Sequence, residues 1–394
     1  MTREAFDLSE RFGLPVMLRI VTRLAHARAS LAIKDPRSPN PIAKAPDPQS
    51  WVLVPMNARK QWKSLLSRTD EIQQYVSTSA HNPLTLSSDD RGVGVITSGI
   101  GRLYYEENLA ALGFKPSHLH IGAYPLPEAK LKELISRVSK LYVIEEGYSI
   151  IEDKLHALSY ARNPGIEVLG KRTGHLPLMG ELNPDLVAKA LGLSAHAHAA
   201  PSSFALPSRP PQLCPGCPHT DSYSALNEAL AAIPMKLVTS DVGCYALGAL
   251  PPHNAVETCV CMGASIGLAK GAAEAGFRPV VAVIGDSTFL HSGMQPLLEA
   301  AAADTDMTLI ILDNETVGMT GGQPTIIPSS RLKDVVLGLG VNPEHLHLLT
   351  AHRKNAQENK EIIQKETNHR GLSVLIAVRE CIQTAKRKKQ GTCV

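Results

Sequence analysis

Two short apolar runs constrain the fold more than any other part of the chain. Val280 to Phe289 reads VVAVIGDSTF and Thr308 to Val317 reads TLIILDNETV; each run of β-branched and aliphatic residues stops abruptly at a polar pair, Gly285-Asp286 and Asp313-Asn314. An unbroken apolar run of this length is the pattern of a strand buried on both faces, as in a parallel sheet. Between them, Ser292 to Ala303 (SGMQPLLEAAAA) is rich in helix formers, with Ser292 a candidate N-cap. Strand, helix and strand at this spacing predict a right-handed βαβ unit with parallel strands. Both polar ends then emerge on the carboxyl edge of one sheet, where open α/β folds bind their ligands.

A carboxylate and an amide brought together on that edge suit a hard cation. Mg2+ takes about six oxygens and is commonly shared between one or two carboxylates and bound phosphates. Asp286 offers the charge, Asn314 a neutral oxygen and the Thr316 carbonyl a third ligand. The plainer reading has Asp286 capping a helix and Asp313-Asn314 making a turn, and it suffices for either pair alone. Both pairs in one unit, followed by Gly318 to Gly322 (GMTGG), favour the cation.

Cysteines form the second constellation. Cys214-Pro-Gly-Cys217 precedes a predicted helix, Thr220 to Ala232, and a predicted strand, Met235 to Thr239, runs into Asp241 to Cys244. Alone, C-x-x-C fits a redox dithiol, half a zinc site or half an iron–sulfur site. Pro and Gly between the thiols favour a tight chelating turn. Cys244 at the end of one strand and Cys381 just after another, Leu372 to Val378, are placed to close on the same point. Cys259 and Cys261 are two apart on an extended segment, so their thiols face opposite ways, and they are expected to be packing residues.

GDS, a downstream LDN and then GMTGGQPT resemble the magnesium–thiamine diphosphate motif of the 2-oxoacid:ferredoxin oxidoreductases, most nearly the alpha subunit of the indolepyruvate type. LCPGCPH (213–219), SDVGCYALGALPP (240–252) and CVCMGASIG (259–267) agree with that family, so the likeness is dense over residues 210 to 382. It implies an α/β thiamine-diphosphate-binding fold, with parallel sheets flanked by helices, plus a transketolase C-terminal-like α/β domain. It implies cofactor contacts from His219, Gly263, Ala264, Ser265, Gly285, Asp286, Ser287, Thr288, Asn314, Thr316, Val317, Met319 and Thr320, with Mg2+ on Asp286, Asn314 and Thr316. It also makes Cys214, Cys217, Cys244 and Cys381 the ligands of a 4Fe-4S cluster, with zinc as the alternative. His291 is expected to face the substrate.

The activity so implied is oxidative decarboxylation of 2-oxoacids, such as arylpyruvates, to acyl-CoA, with electrons passed to ferredoxin. The implied partners are a smaller beta subunit, coenzyme A, ferredoxin and a further chain supplying the pyrimidine-binding domain with its activating glutamate, a role no residue here is assigned. A non-oxidative thiamine-dependent decarboxylase or synthase, and an inactive truncated subunit, are the rival readings.

Along the chain, the same likeness casts residues 1–33 as a remnant of a pyrimidine-binding domain, with a helix from Arg3 to Phe12 and a buried strand from Gly13 to Thr22 leading to Arg23 and His26. Those two side chains are candidates to line the site. Residues 34–89 read as a connection, docked by Trp51 to Pro55 and containing a helix from Gln61 to Ser77. Residues 90–193 carry three strand–helix repeats, one ending in Glu145 and Glu146, expected to be structural. Residues 194–211 read as a linker with solvated His196 and His198, 212–382 as the thiamine diphosphate domain, and 383–394 as a basic tail, either solvated or a dock for an acidic ferredoxin. Cys393 stands alone, without the repeated cysteine run of a ferredoxin module.

Composition excludes little but usefully. With a net charge of +3 and 4% aromatic residues, nothing points to nucleic acid. No apolar run reaches the ~20 residues of a membrane helix and no signal peptide is evident. Seven cysteines, several closely paired, fit thiol or metal chemistry in a reducing cytoplasm.

Overall fold

The structure, a computed structural model, describes residues 1–33, 35–39, 41–44, 47–194, 204 and 210–391. His196, His198, Cys393 and most of the expected 194–211 linker lie outside the described residues. The chain divides into two compact units, Met1–Ser203 and Phe204–Val394.

The first unit comprises α1 (Thr2–Phe12), α2 (Thr22–Ala25), α3 (Pro55–Ser67), α4 (Thr69–Thr78), β1 (Leu84–Thr85), β2 (Val93–Ser98), α5 (Gly101–Leu112), β3 (Ser117–Ile121), α6 (Glu128–Ile135), β4 (Lys140–Ile144), α7 (Ile150–Arg162), β5 (Glu167–Leu169) and α8 (Pro184–Ala190). Its sheet has the order β1-β3-β2-β4-β5, parallel except for β1. Alternate residues of β2 fill two cores: Ile96 packs with Leu119, Leu131 and Leu141, and Val95 with Tyr104, Tyr105 and Ile144. Glu145 accepts hydrogen bonds from the Ile151 and Glu152 amides at 2.9 and 3.0 Å, holding the start of α7. Glu146 accepts from the Leu182 amide, so both carboxylates serve the backbone.

Three local expectations are corrected here. Residues 13–21 form no strand; Met17 is 89% and Ile20 59% exposed. An apolar run becomes a buried strand only when neighbours take up its backbone groups, and no described strand pairs with it. Trp51 to Val54 do not dock, with Trp51 78% exposed. The expected helix from Gln61 to Ser77 breaks at Arg68, whose guanidinium donates to the Phe12 carbonyl at 2.7 Å and fixes α1 on α3 and α4. Phe12 then packs edge-on against Tyr75.

The second unit comprises α9 (Pro218–Ala229), β6 (Leu237–Thr239), α10 (Ala264–Glu274), β7 (Val280–Gly285), α11 (Asp286–Thr288), α12 (Met294–Ala302), β8 (Met307–Asp313), β9 (Thr316–Val317), β10 (Gln323–Pro324), α13 (Ser329–Gly338), β11 (Leu346–Thr350), α14 (Ala356–Asn368), β12 (Leu372–Val378) and α15 (Ile382–Lys389). Its main sheet, ordered β11-β12-β8-β7-β6, is parallel throughout. Every residue of β7 and β8 is buried. Ala282, Ile284, Leu309 and Ile311 enter one core, while Val281, Val283, Ile310 and Leu312 enter the other. This two-sided burial is what the unbroken apolar runs predict.

One detail of the βαβ unit differs. The helix does not wait for Ser292; it begins at Asp286, immediately at the strand end, and passes through a π-helical turn, Phe289–Gly293, into α12. Ser292 therefore lies inside the helical run, with its hydroxyl directed to the Thr288 carbonyl. Among the described residues, no helix is long and apolar enough to cross a membrane.

Candidate functional site

Parallel pairing of β7 and β8, with Gly285 opposite Leu312, brings their carboxyl ends level. Asp286, 4% exposed, then accepts from its neighbour's amide, Ser287 N–H, at 2.6 Å and from the Asn314 amide at 3.2 Å. The Asn314 side-chain oxygen accepts from the Thr316 amide at 3.2 Å, and its Nδ2 lies 3.3 Å from His219 Nε2. Burial holds His219 at a pKa of about 4, so its imidazole is neutral near neutral pH.

These groups share one cavity of about 220 Å³. Its walls include His219, Gly285, Asp286, Ser287, Thr288, Asn314, Thr316, Val317, Met319 and Thr320, along with Val242, Gly243, Cys244, Tyr245 and Met262. Gly263, Ala264 and Ser265 do not line it; they form the N-terminus of α10 and are tied to Asp241, which accepts from the Gly263 amide (3.2 Å), the Ser265 amide (3.4 Å) and the Ser265 hydroxyl (2.7 Å). The Tyr245 hydroxyl donates to the other Asp241 oxygen. Asp241 and Tyr245 are thus the organisers of one wall, and sequence reasoning passed over both. No local spacing links Asp241 to Ser265; only the fold brings them together. Tyr245 fills the space beside Gly285, where an added Cβ would lie 2.5 Å from its ring.

One buried oxygen of the cavity wall, and one behind it, bear on what the cavity can hold. The Ser287 hydroxyl has no hydrogen-bond partner, nor does Asp313 Oδ2. Asp313 stands beside Asp286, whose pKa is raised first by burial and then by that neighbouring charge. Two buried carboxylates in contact, one with an orphan oxygen, are an environment that a divalent cation would neutralise. An unpartnered hydroxyl in the same wall is a donor for a phosphate oxygen. The residues therefore fit Mg2+ and a diphosphate.

The cysteines gather at an adjoining corner. Gly216, at φ +81°, lets the chain turn so that the Cys217 amide donates to the Cys214 carbonyl at 2.9 Å. Arg379, two residues before Cys381, donates to the Gly216 carbonyl at 3.0 Å, and Cys244 lies on the cavity wall. Burial pushes the Cys217 thiol up to about 11, with contributions from Cys214 and Cys381; the Cys244 thiol is raised by burial and by the same two. Cys217 and Cys244 are thus each within electrostatic reach of Cys214 and Cys381, yet among the described residues no group of three or more His, Cys, Asp or Glu is arranged to hold a metal ion.

Other candidates fall elsewhere. Cys259 and Cys261 are exposed, not packed, because residues 259–262 lie on the surface ahead of α10. His291 is exposed in the π-helical turn and absent from the cavity wall. Arg23 pairs with Glu181 at 3.0 Å and with the Tyr104 hydroxyl inside the first unit, and His26 caps α2.

Residues 241–377 match the C-terminal TPP binding domain of the thiamine pyrophosphate enzymes. That stretch contains Asp286 and Asn314 and leaves Cys214, Cys217, His219 and Cys381 outside it. The indolepyruvate oxidoreductase subunit IorA of Archaeoglobus fulgidus is 34% identical over 415 residues, covering 99% of this chain and 65% of that protein. IorA of Methanothermobacter thermautotrophicus is 32% identical over 401 residues, covering 96% and 64%. The beta subunit of 2-oxoacid:ferredoxin oxidoreductase 1 from Aeropyrum pernix is 27% identical over 192 residues, covering 43% and 58%. The chain spans less than two thirds of the length of the IorA proteins it matches.

Proposed function

We propose, from a chain that resembles the IorA subunits along nearly its whole length and carries a thiamine pyrophosphate enzyme domain, that it is a thiamine-diphosphate-dependent 2-oxoacid oxidoreductase subunit working in a complex. The observation that carries this reading is the meeting of Asp286 and Asn314 at the lip of one cavity, with four cysteines at the adjoining corner. Asp286, Asn314 and the Thr316 carbonyl would hold Mg2+, and Ser287, whose hydroxyl has no partner, would offer it to the diphosphate, with Thr288 beside it in the wall. Bound there, thiamine diphosphate supplies the carbon nucleophile and electron sink that 2-oxoacid decarboxylation needs. Neutral His219 orients the Asn314 amide without adding a charge that would compete with the cation. Asp241 ties Tyr245, which lies against Gly285, to the start of α10.

In the finer reading, Cys214, Cys217, Cys244 and Cys381 hold a 4Fe-4S cluster that supplies one-electron transfer, the substrates are arylpyruvates such as indolepyruvate, coenzyme A takes the acyl group, and ferredoxin takes the electrons. A beta subunit completes the assembly. Titration calorimetry with thiamine diphosphate and Mg2+ tests the core of the proposal: the chain should bind the pair, and Asp286→Asn should weaken binding by at least the roughly 10–100-fold that loss of a group supporting a metal ligand costs. Equal binding by the variant would remove Asp286 from the site. Iron and acid-labile sulfide in anaerobically prepared protein test the cluster; zinc, or no metal, would overturn it.

A further inference from the structure

The residues after β12 form a strap that touches each part of the site in turn. The Arg379 amide donates to the Asp313 carbonyl at 3.0 Å, and its guanidinium reaches Gly216 and, at 2.5 Å, Asp221. The Cys381 amide donates to the Asn314 carbonyl at 3.0 Å. Cys381 is then the N-cap of α15, which carries Arg387 to the Gly318–Gly322 loop, where Nη1 donates to the Gly321 carbonyl at 2.5 Å. Glycine permits that approach: at Gly322, with φ +88°, an added Cβ would stand 2.8 Å from Arg387 Nη1. On the loop's other side, a Cβ on Gly318 would stand 3.1 Å from Cys244 Sγ. The loop is held between a thiol of the cysteine corner and a guanidinium of α15, and its Met319 and Thr320 are cavity wall. Met319 is 64% exposed, so its own packing does little to fix the loop.

We propose that Arg387 is a positioning residue that latches the Gly318–Gly322 loop to the cavity, so that α15 sets the affinity for thiamine diphosphate. The ligand in this inference rests on the function proposed above; the latch concerns only residues of this chain. A loop already ordered in the bound arrangement spares the cofactor the cost of ordering it, and apparent affinity falls in proportion to the fraction of time the loop is out of place. The basic run of α15 thereby gains a specific use: Arg387 faces the loop and Lys388 pairs with Glu380.

The test uses the full chain, Arg387→Ala, Arg387→Lys and, as a control on the same helix, the exposed Gln383→Ala. In cofactor-free protein, hydrogen exchange at residues 319–322 should speed up about fivefold in Arg387→Ala, the scale of one lost surface hydrogen bond. By calorimetry with saturating Mg2+, its Kd for thiamine diphosphate should rise in inverse proportion to the fraction of the loop that stays latched. Arg387→Lys should recover much of both effects, and Gln383→Ala should show neither. Unchanged loop exchange in Arg387→Ala overturns the latch whatever the cofactor does. Faster exchange with unchanged Kd overturns the link to affinity. A wild-type chain that gives no binding heat overturns the functional proposal instead, and exchange alone then decides the latch.

Discussion

Asp286 shows how far a single residue can be read from the chain and where that stops. The abrupt end of an apolar run foretold its place at a strand tip, and the LDN of the next run foretold its neighbour. The rest of its surroundings could not be foretold: the Tyr245 ring against Gly285 comes from a segment whose contact depends on the sheet. Gly285 illustrates the point, since the motif explains its presence as sequence, whereas the structure explains it as space. Gly285→Ala would drive a methyl group to 2.5 Å from a buried ring whose hydroxyl is anchored on Asp241, so the ring cannot swing aside freely. Overpacking of this kind costs about 1–3 kcal/mol. The denaturant midpoint of the variant should fall accordingly, and an unchanged midpoint would show that Tyr245 has room to move.

At the scale of elements, strands were legible and their dependents less so. β7, β8 and β12 announced themselves because burial on both faces leaves no choice of residue type. Residues 13–21 looked the same in composition, yet they stay extended and exposed, since a strand is a property of its neighbours as much as of its own residues. The end of α14 was not anticipated at all. There the Glu366 carboxylate, fully buried, accepts from His345, His347 and Ser373, each at 2.8 Å, and ties α14 to β11 and β12. Burial alone would raise its pKa; the hydrogen bonds led by that from His345 outweigh it and hold the group at about 2, below the ordinary 4.5. A lowered folded-state value means stability that is present above pH 4.5 and is lost as the pH falls toward about 2. Urea unfolding should therefore show the second unit weakening across that window. Glu366→Gln should lose stability near pH 7 and show a flatter acid profile. A variant with the wild-type acid profile would put the acid sensitivity elsewhere.

For the molecule as a whole, the α/β class followed from periodicity and motif, and the chain divides into two units, Met1–Ser203 and Phe204–Val394. Within the first unit, α1 packs on α3 and α4 through Arg68 and Phe12. The cavity, the cysteine corner and the strap all belong to the second unit. A ligand bound to one unit stabilises that unit by mass action, about 2.7 kcal/mol at a concentration of 100 Kd. Calorimetric scans should resolve two transitions, of which thiamine diphosphate with Mg2+ moves only one. Equal displacement of both would mean that the units unfold together.

Because all five strands of the second sheet run the same way, its chemistry crowds one rim and leaves the other with purely architectural duty. A dye carried at the exposed Glu344, just ahead of β11, would sit on that idle rim and report the folding of the unit while leaving the thiols, the carboxylates and the cavity undisturbed.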